Sequence, residues 1–208
     1  ADVQAWYHQT ILGDFFLRAA FPDTATGQTV EMPASLLGEI EKIHGVTSVD
    51  AIRFFSAKAA GQQVFVVARD FPEQEMPLHL YGADRVEVRR RLLDGEVVIG
   101  TVLAKRAGLE PGDTIAIESR DGVKQLRVAA LAVDYMVGGL IVYMYRPAAE
   151  RLFGIEGVTA FAVKAAPTAR KSVGEALAKI AARDNLMLHS CDDAGHHPIE
   201  HRAQLGAR

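Results

Sequence analysis

The sequence predicts an α+β fold of two lobes, one of which is formed by both ends of the chain. A strand, a helix and a strand follow one another near the start, and the same order returns near the end. The segment between them is rich in β-branched residues and turn signals. The 208 residues are enough to bury a core in each lobe. We expect residues 1–70 and 155–190 to form the first lobe, residues 71–154 an inserted β-rich lobe, and residues 191–208 a tail.

The first unit is predicted from apolar runs separated by turn chemistry. Residues 14–20 have the composition of a strand entering a core, and residues 21–29 that of an exposed loop. Pro33 suits the first turn of a helix that ends at Gly45. Its inward face is indicated by apolar residues at spacings of three and four, namely Leu36, Leu37, Ile40 and Ile43. Residues 46–57 are rich in β-branched and aromatic residues, which predicts a second strand.

The middle segment is predicted to be mostly β. Residues 63–69 form a strand, residues 71–77 a proline-interrupted link, and residues 96–100 a short buried strand. A helix at residues 101–107 ends at Gly108 in a left-handed cap. Pro111 and Gly112 favour a type II turn that the side chain of Asp113 can close. Strands at residues 114–118 and 124–133 are joined by a hairpin that includes Gly122. A further strand at residues 140–145 leads to a helix at residues 148–153.

The second unit repeats the pattern of the first. Residues 158–165 and 186–189 read as strands on either side of an amphipathic helix at residues 169–183. Leu177 and Ile180 occupy the inward face of this helix, as Leu37 and Ile40 do in the earlier one. We therefore expect two βαβ halves that pack into one sheet.

Charge and composition exclude several classes of protein. The net charge is −3 and the pI is near 6.2, so binding to nucleic acid through phosphate contacts is disfavoured. The arginines from Arg85 to Arg91 lie among acidic residues, namely Asp84, Glu87 and Asp94, which is typical of a solvated helix face. The apolar run at residues 136–145 is about half of what a membrane-spanning helix needs. It is interrupted by two glycines, so we expect one strand or two.

Two further features bear on the origin of the chain. It begins at Ala1 without an initiator methionine, which we expect of an excised segment or of a processed secreted protein. Its single cysteine, Cys191, excludes an internal disulfide and leaves the compartment open between a reducing cytosol and an oxidising periplasm.

Several local motifs carry a resemblance to a known family. The run EVVIGTVLAKRAGLEPGDTI at residues 96–115 resembles the extracytoplasmic domain of permease subunits in the MacB/FtsX-like group of ABC transporters. A helix that ends at Gly45-Val46 and leads into a strand is similar to one in those permeases. So is a strand that is followed by a helix at Pro147 and by Phe153-Gly154. The match covers roughly residues 40–190, but the loop at residues 21–29 and the tail from Cys191 do not align.

The resemblance implies a role as well as a fold. It implies a domain inserted between the first two transmembrane helices, with a porter-like lobe formed by both chain ends. The domain would transmit ATP-driven motion from its transmembrane helices, and from an ABC ATPase subunit or domain, to an exported substrate or to a periplasmic partner. It would lie on the extracytoplasmic side of the bacterial inner membrane. We expect a homodimer in the full transporter, although the isolated domain could be monomeric, and we expect no cofactor.

Some residues could carry chemistry that is independent of the resemblance. The tail holds a cluster of metal-ligand types, namely Cys191, His196, His197 and His201, but their spacing matches no known zinc motif. A thiol hydrolase would need Cys191 in a cleft beside a histidine, and a polar tail argues against that. His189 is expected to end a strand. The carboxylates of Asp94, Glu96, Asp113 and Asp121 stand at turns and strand edges, where acidic residues commonly solvate the backbone. We therefore predict that the domain has no catalytic or metal site of its own.

Two features of the sequence allow more than one interpretation. The group Tyr135, Met136, Tyr143, Met144 and Tyr145 either lines an apolar surface for cargo or a partner, since methionine adapts to varied partners, or belongs to the core. The motif at residues 108–115 also occurs in small β-barrels of the double-psi type. It therefore allows a free-standing module that binds a small ligand or a protein.

Overall fold

The computed structural model of the protein describes residues 13–19, 31–33, 35–73, 76–134 and 136–190. In these residues the strands are β1 (Phe15–Arg18), β2 (Val46–Ala59), β3 (Gln62–Arg69), β4 (Val97–Gly100), β5 (Thr114–Ser119), β6 (Gly122–Ala132), β7 (Ile141–Tyr145), β8 (Ala160–Ala165) and β9 (Met187–Ser190). The α-helices are α1 (Ser35–Glu41), α2 (Arg85–Leu93), α3 (Thr101–Ala107), α4 (Arg146–Phe153) and α5 (Arg170–Asp184). Short 3-10 helices occupy Met136–Gly139 and Pro167–Ala169. The predicted α+β class is confirmed.

The chain divides into two compact units. Residues 52–156 form one, which we call the barrel unit. The described residues up to 51 and from 157 onward form the other, which we call the sheet unit. The division from the sequence placed residues 52–70 with the chain ends, whereas in the structure they belong to the barrel unit, because the second part of β2 pairs with β3 there. An apolar strand pattern identifies a strand but not the sheet that it joins.

In its described residues the sheet unit is a four-stranded sheet with two α-helices. Its strand order is β2-β8-β1-β9, with β1 antiparallel to both β8 and β9. Read along the chain, the elements are β1, α1 and β2, then β8, α5 and β9, which is the split βαβ arrangement. The expectation of paired βαβ halves in one sheet is therefore correct.

One apolar core joins the sheet of this unit to both of its helices. Phe15 and Leu17 alternate along β1 and face the same core as Phe161 and Val163 of β8. The helices contribute residues at helical spacing, namely Leu36 and Ile40 from α1 and Val173, Leu177 and Ile180 from α5. The inward faces predicted for both helices are thus the observed ones. Burial of such side chains stabilises a fold by about 1.5–3 kcal/mol each.

The described part of the barrel unit is a closed ring of six strands. The order is β3-β7-β4-β6-β5-β2, and β2 pairs again with β3 to complete the ring. The closure between β5 and β2 is short, with Ala59 opposite Ile117 and the Ala60 amide donating to the Ala116 carbonyl at 2.8 Å. Closure leaves no long sheet edge in this unit. Its interior is filled by apolar side chains from all six strands, which include Val66, Ile99, Ile117, Val128 and Val142.

The turns of the barrel unit follow the predicted chemistry. The Asp113 amide donates to the Glu110 carbonyl at 3.1 Å, and the Asp113 carboxylate accepts from the Glu110 amide at 2.8 Å. Gly112 has φ +100°, as a type II turn requires at this position. Gly108 caps α3 with φ 66° and ψ 38°. The hairpin between β5 and β6 is also present, with Ser119 opposite Gly122.

The segment at residues 136–145 differs in part from the prediction. Only Ile141–Tyr145 forms a strand, and Met136–Gly139 is a 3-10 helix. Gly138 and Gly139 have φ +67° and +75°, which a strand does not allow. A Cβ on Gly100 would lie 2.4 Å from the Gly139 carbonyl oxygen. Glycine at both positions therefore lets β4 and this 3-10 helix approach closely.

Candidate functional site

The two ends of the described chain leave the sheet unit side by side. Phe15, at the start of β1, lies opposite Ser190, at the end of β9. Directly opposed residues of an antiparallel pair have Cα atoms about 4.5–5.5 Å apart. Phe15 also lies opposite Val163 near the end of β8, so three strand ends meet at this edge. We call it the exit edge.

Asp14 links the exit edge to α5 through polar contacts. Its side chain accepts a hydrogen bond from the Ala165 amide at 2.8 Å and contacts the guanidinium of Arg170. Its own amide donates to the Val163 carbonyl at 2.9 Å. Asp14 is only 8% exposed, and a buried carboxylate needs such partners because desolvation disfavours its charge. The residue just before β1 is thereby fixed to both β8 and α5.

Gly45 brings the turn after α1 to the same edge. Its carbonyl accepts from the Ala166 amide at 2.8 Å. A Cβ at this glycine, which has φ +96°, would lie 2.2 Å from the Cβ of Ala169. The hydroxyl of Thr47 donates to the Lys164 carbonyl at 3.2 Å. The end of α1, the start of β2 and the start of α5 therefore share the exit edge with β1, β8 and β9.

Helices α1 and α5 are joined by an exposed ion pair. Arg183 donates to both carboxylate oxygens of Glu39 at 2.8 Å and also to Asp184. The hydrogen bond from Arg183 holds the pKa of Glu39 below its ordinary value, and it does the same for Asp184. Beside this pair lies an open groove, with Ile43, Ala176 and Ile180 among its lining residues.

The barrel unit contains a separate buried polar contact. The hydroxyl of Tyr143 on β7 donates to the carboxylate of Asp134, and both residues are buried. Burial, and then the nearby charge of Asp134, raise the pKa of Tyr143. Three residues after Tyr143, the guanidinium of Arg146 in α4 donates two hydrogen bonds to the carboxylate of Asp70, which follows β3. The donor to acceptor distances are 2.7 and 3.1 Å. These contacts tie β3, β7 and α4 together.

The predicted aromatic and methionine group does not form one surface. Tyr143 and Met144 are each 1% exposed, so their side chains are core residues, as the second of the two open readings expected. Tyr145 is half-buried. Tyr135 and the side chain of Met136 lie outside the described residues. A surface for cargo or a partner at this strand remains a prediction, and of the described residues only Tyr145 could contribute to it.

The arginines from residue 85 to residue 91 belong to α2, and some of them form ion pairs with nearby acidic residues. Arg90 contacts Glu87 at 2.7 Å and Asp94 at 2.9 Å, and Arg91 contacts Glu96 at 2.6 Å. These pairs neutralise much of the local positive charge.

Asp121 and His189 take structural positions. Asp121 contacts Arg120 in the hairpin at 3.5 Å, and His189 lies within β9, where it accepts from Arg18 at 3.1 Å. The described ranges contain no group of three or more histidine, cysteine, aspartate or glutamate side chains placed to hold a metal ion. Cys191, His196, His197 and His201 lie outside those ranges. Within the same ranges, no helix has the length and apolar character needed to cross a membrane.

Sequence reasoning missed the residues that build the exit edge. Asp14 and Arg170 are 156 positions apart, and Phe15 and Ser190 are farther apart still. The only local signal was the predicted strand pattern near both chain ends, which suggested one shared sheet without giving its register.

Comparison with solved structures shows which fold this is. The chain is similar to the periplasmic region of MacB from Actinobacillus actinomycetemcomitans, with a TM-score of 0.60 and 14% sequence identity over 87% of this chain and 90% of that one. It is also similar to the extracellular domain of the noncanonic ABC-type transporter YknZ from Gram-positive bacteria. That match has a TM-score of 0.59 and 14% identity, and it covers 86% of this chain and 100% of that domain. Neither a family profile nor a curated protein matches the sequence. The fold expected from the sequence motifs is therefore confirmed.

Proposed function

We propose that this chain is the extracytoplasmic domain of an ABC transporter permease, inserted between two transmembrane helices. In this role it transmits ATP-driven motion from those helices to a substrate or to a partner protein. The permease works as a homodimer with an ABC ATPase subunit or domain, and the chain lies on the outer side of the bacterial inner membrane. No reaction of its own is required.

The pairing of Phe15 with Ser190 carries this proposal. A domain inserted between two neighbouring transmembrane helices must begin and end close to one point on the membrane. Antiparallel pairing of the first and last described strands satisfies this condition, whereas strands that left at opposite sides would not fit it. The fold shared with two transporter domains supports the same reading.

The construction of the sheet unit suits the transmission of displacement. The chain at β1 is joined to β8 by four paired residues and to α5 by the contact between Asp14 and Arg170. Its core is packed from the sheet and both helices. Close-packed elements move as a body, because a packed core deforms little under load. A shift at the exit edge is therefore passed to the whole unit.

The alternative of a free-standing ligand-binding barrel is less well supported. The barrel does exist, but its interior is occupied by side chains that are almost fully buried, such as Val97, Ile99, Ile117 and Val142. Six-stranded barrels are small enough for side chains to fill them. An interior ligand would have to displace this core.

A topology experiment tests the proposal. In the full gene product, with Cys191→Ser as background, Lys124→Cys places a thiol at an exposed position on β6. We expect the protein in the membrane fraction, and we expect a membrane-impermeant maleimide to label this thiol once the outer face of the inner membrane is accessible. Ile117→Cys, buried in the barrel, is the control that should stay unlabelled until denaturation. Labelling of Lys124→Cys only after the inner membrane is lysed, or recovery of the full gene product outside the membrane fraction, would refute the proposal.

A further inference from the structure

Residues 79–81 form a short extended segment beside the end of β6 in the barrel unit, which we call the flanking segment. Leu80 lies opposite Ala132 in an isolated antiparallel bridge. The two backbone hydrogen bonds on either side of this bridge, one donated by the Tyr81 amide and one accepted by the His79 carbonyl, are both 2.9 Å long. The three residues just before the segment are buried. The flanking segment is therefore fixed at its start and along one of its two edges.

The outer edge of the flanking segment presents a backbone donor and a backbone acceptor. In an antiparallel pair, a residue whose two neighbours make the hydrogen bonds points its own N–H and C=O away from the partner strand. Leu80 has this position, so its amide and its carbonyl point away from β6. Among the residues that the structure describes, none is bonded to either group. An edge of this kind is a template to which a further strand can pair.

The side chains next to this edge form an exposed patch with apolar surface. His79 lies opposite Val133, so the two share one face, and Tyr81 points to the same face because it is two residues from His79. Tyr81 is 70% exposed and Val133 is 37% exposed, and His79 is exposed as well. Tyrosine is enriched at protein interfaces. An open backbone edge and an exposed aromatic ring thus lie side by side.

We propose that the flanking segment binds an extended segment of a partner protein, which pairs with Leu80 as a further strand. This inference rests on the proposed function, in which the domain passes movement to a partner. The amide and carbonyl of Leu80 bond to the main chain of the bound segment. Tyr81 and Val133 contact its side chains at alternate positions and select apolar or aromatic ones, since main-chain bonds give affinity and alternate side chains give specificity in this mode of binding.

An extended peptide fits this edge better than other partners do. Two copies of the chain paired through Leu80 would each contribute an edge of three residues, whereas a stable interface between folded proteins buries at least about 1,200 Å². A flexible peptide can continue past the flanking segment and contact more of the surface. A helical partner would leave the outward groups of Leu80 without bonds, because a helix uses its own backbone groups internally.

Peptide selection on the 208-residue chain tests this inference. The probe is a phage-displayed library of random twelve-residue peptides, and selected sequences are then made with a fluorescein label for anisotropy measurements. Leu80→Pro removes the outward amide without removing a bond to β6, and its matched control is Leu80→Ala, which keeps that amide. Tyr81→Ser removes the exposed ring. Its matched control is Val123→Ser, which removes apolar surface elsewhere in the barrel unit, at a position that is 62% exposed.

The selected peptides should carry apolar or aromatic residues at alternate positions. Tyr81→Ser should weaken their binding at least about fivefold, as loss of a cross-strand aromatic contact implies. Leu80→Pro should bind at least about tenfold more weakly than Leu80→Ala, because a main-chain bond is lost and the proline ring occupies the space of its acceptor. Val123→Ser should bind like the natural chain. In the natural chain, bound peptide should slow hydrogen exchange of the Leu80 amide, measured by NMR.

The inference is wrong if no selected peptide binds the natural chain, if Leu80→Pro and Leu80→Ala bind equally, or if bound peptide leaves exchange at Leu80 unchanged. It is also wrong if sedimentation shows a dimer of the natural chain that Tyr81→Ser makes monomeric, because the edge then takes a second copy. The exchange measurement needs no variant, so it decides the matter even if Leu80→Pro does not fold. None of these results alters the maleimide labelling above, so failure here and failure of the proposed function can be told apart.

Discussion

A disulfide placed across β1 and β9 should form readily and should stabilise the protein. The chosen pair is Arg18→Cys with Met187→Cys, in a Cys191→Ser background that removes the natural thiol. Arg18 and Met187 lie directly opposite each other, and opposed residues of an antiparallel pair have Cα distances within the range that disulfides span. Met187 is 37% exposed, so its loss leaves no large cavity in the core.

The size of the effect follows from the length of chain that the bond encloses. Positions 18 and 187 are 169 residues apart. In the chain-entropy treatment a loop of this length raises the free energy of unfolding by roughly 5 kcal/mol, and engineered bonds commonly achieve about 2–4 kcal/mol. Loss of the hydrogen bond from Arg18 to His189 subtracts about 1 kcal/mol. We therefore expect a net gain of about 1–4 kcal/mol in the oxidised form.

The assay compares denaturant unfolding of the oxidised variant with that of the Cys191→Ser background, after mass spectrometry has verified the bond. The matched control is Arg18→Cys with Ser190→Cys. Its two positions are offset by three residues along the strands, or about 10 Å, and should not form a bond. If the first pair stays reduced under oxidising conditions, or if both pairs oxidise equally well, the register of β1 and β9 is wrong. In that case β1 and β9 do not place the two chain exits side by side.

Four further substitutions each change a single position. Gly45→Ala should lower the free energy of unfolding by more than about 2 kcal/mol, because its Cβ would clash with the start of α5. Gly38→Ala has open space in α1 and should raise it by up to about 1 kcal/mol, as denaturant unfolding would show for both. Tyr143→Phe removes the donor to a buried carboxylate and should cost about 1–3 kcal/mol; an unchanged unfolding midpoint would contradict this. Arg183→Gln should raise the pKa of Glu39 in an NMR titration. Because the pKa of Glu39 is lowered, this pair stabilises the fold at pH values above the ordinary pKa of glutamate. The stabilisation is lost as the pH falls through the pKa of Glu39 in the folded protein. An unshifted Glu39 titration would contradict the assignment.

The chemistry of neighbouring residues in the sequence was sufficient to predict most helices, strands and turns. The type II turn at Pro111 and Gly112, the left-handed cap at Gly108 and the inward faces of α1 and α5 were all predicted correctly, because each depends on neighbouring residues only. The hairpin between β2 and β3 carries only part of such a signal, because Gly61 suits its φ of +71° whereas the alanine before it does not favour a left-handed conformation. Ala60 adopts φ +49° there, a conformation in which glycine or asparagine is usual. Tertiary pairing of the two long strands fixes this turn.

Features that depend on contacts between residues far apart in the sequence could not be predicted from sequence patterns. Assignment of residues 52–70 to the barrel requires knowing that β3 pairs with β7 in parallel, and strand composition carries no information about the partner. The 3-10 helix at Met136–Gly139 lies within an apolar run that resembled a strand, because apolar character reports burial and not backbone conformation. The exit edge is the extreme case, since Phe15 and Ser190, which lie opposite each other there, are 175 positions apart in the sequence.

The direction of the strands at the exit edge determines how a load would reach the sheet unit under the proposed function. β1 and β9 leave at the same edge, so helices that move together draw both strands in one direction and place no shear between them. The load then falls on the pairing of β1 with β8, where four opposed residue pairs resist it together, and on the contact between Asp14 and Arg170. Helices that move apart would instead separate β1 from β9, one pair at a time from Phe15 and Ser190 onward. The sheet unit is therefore built to follow a common displacement of its two exits and to yield when they separate.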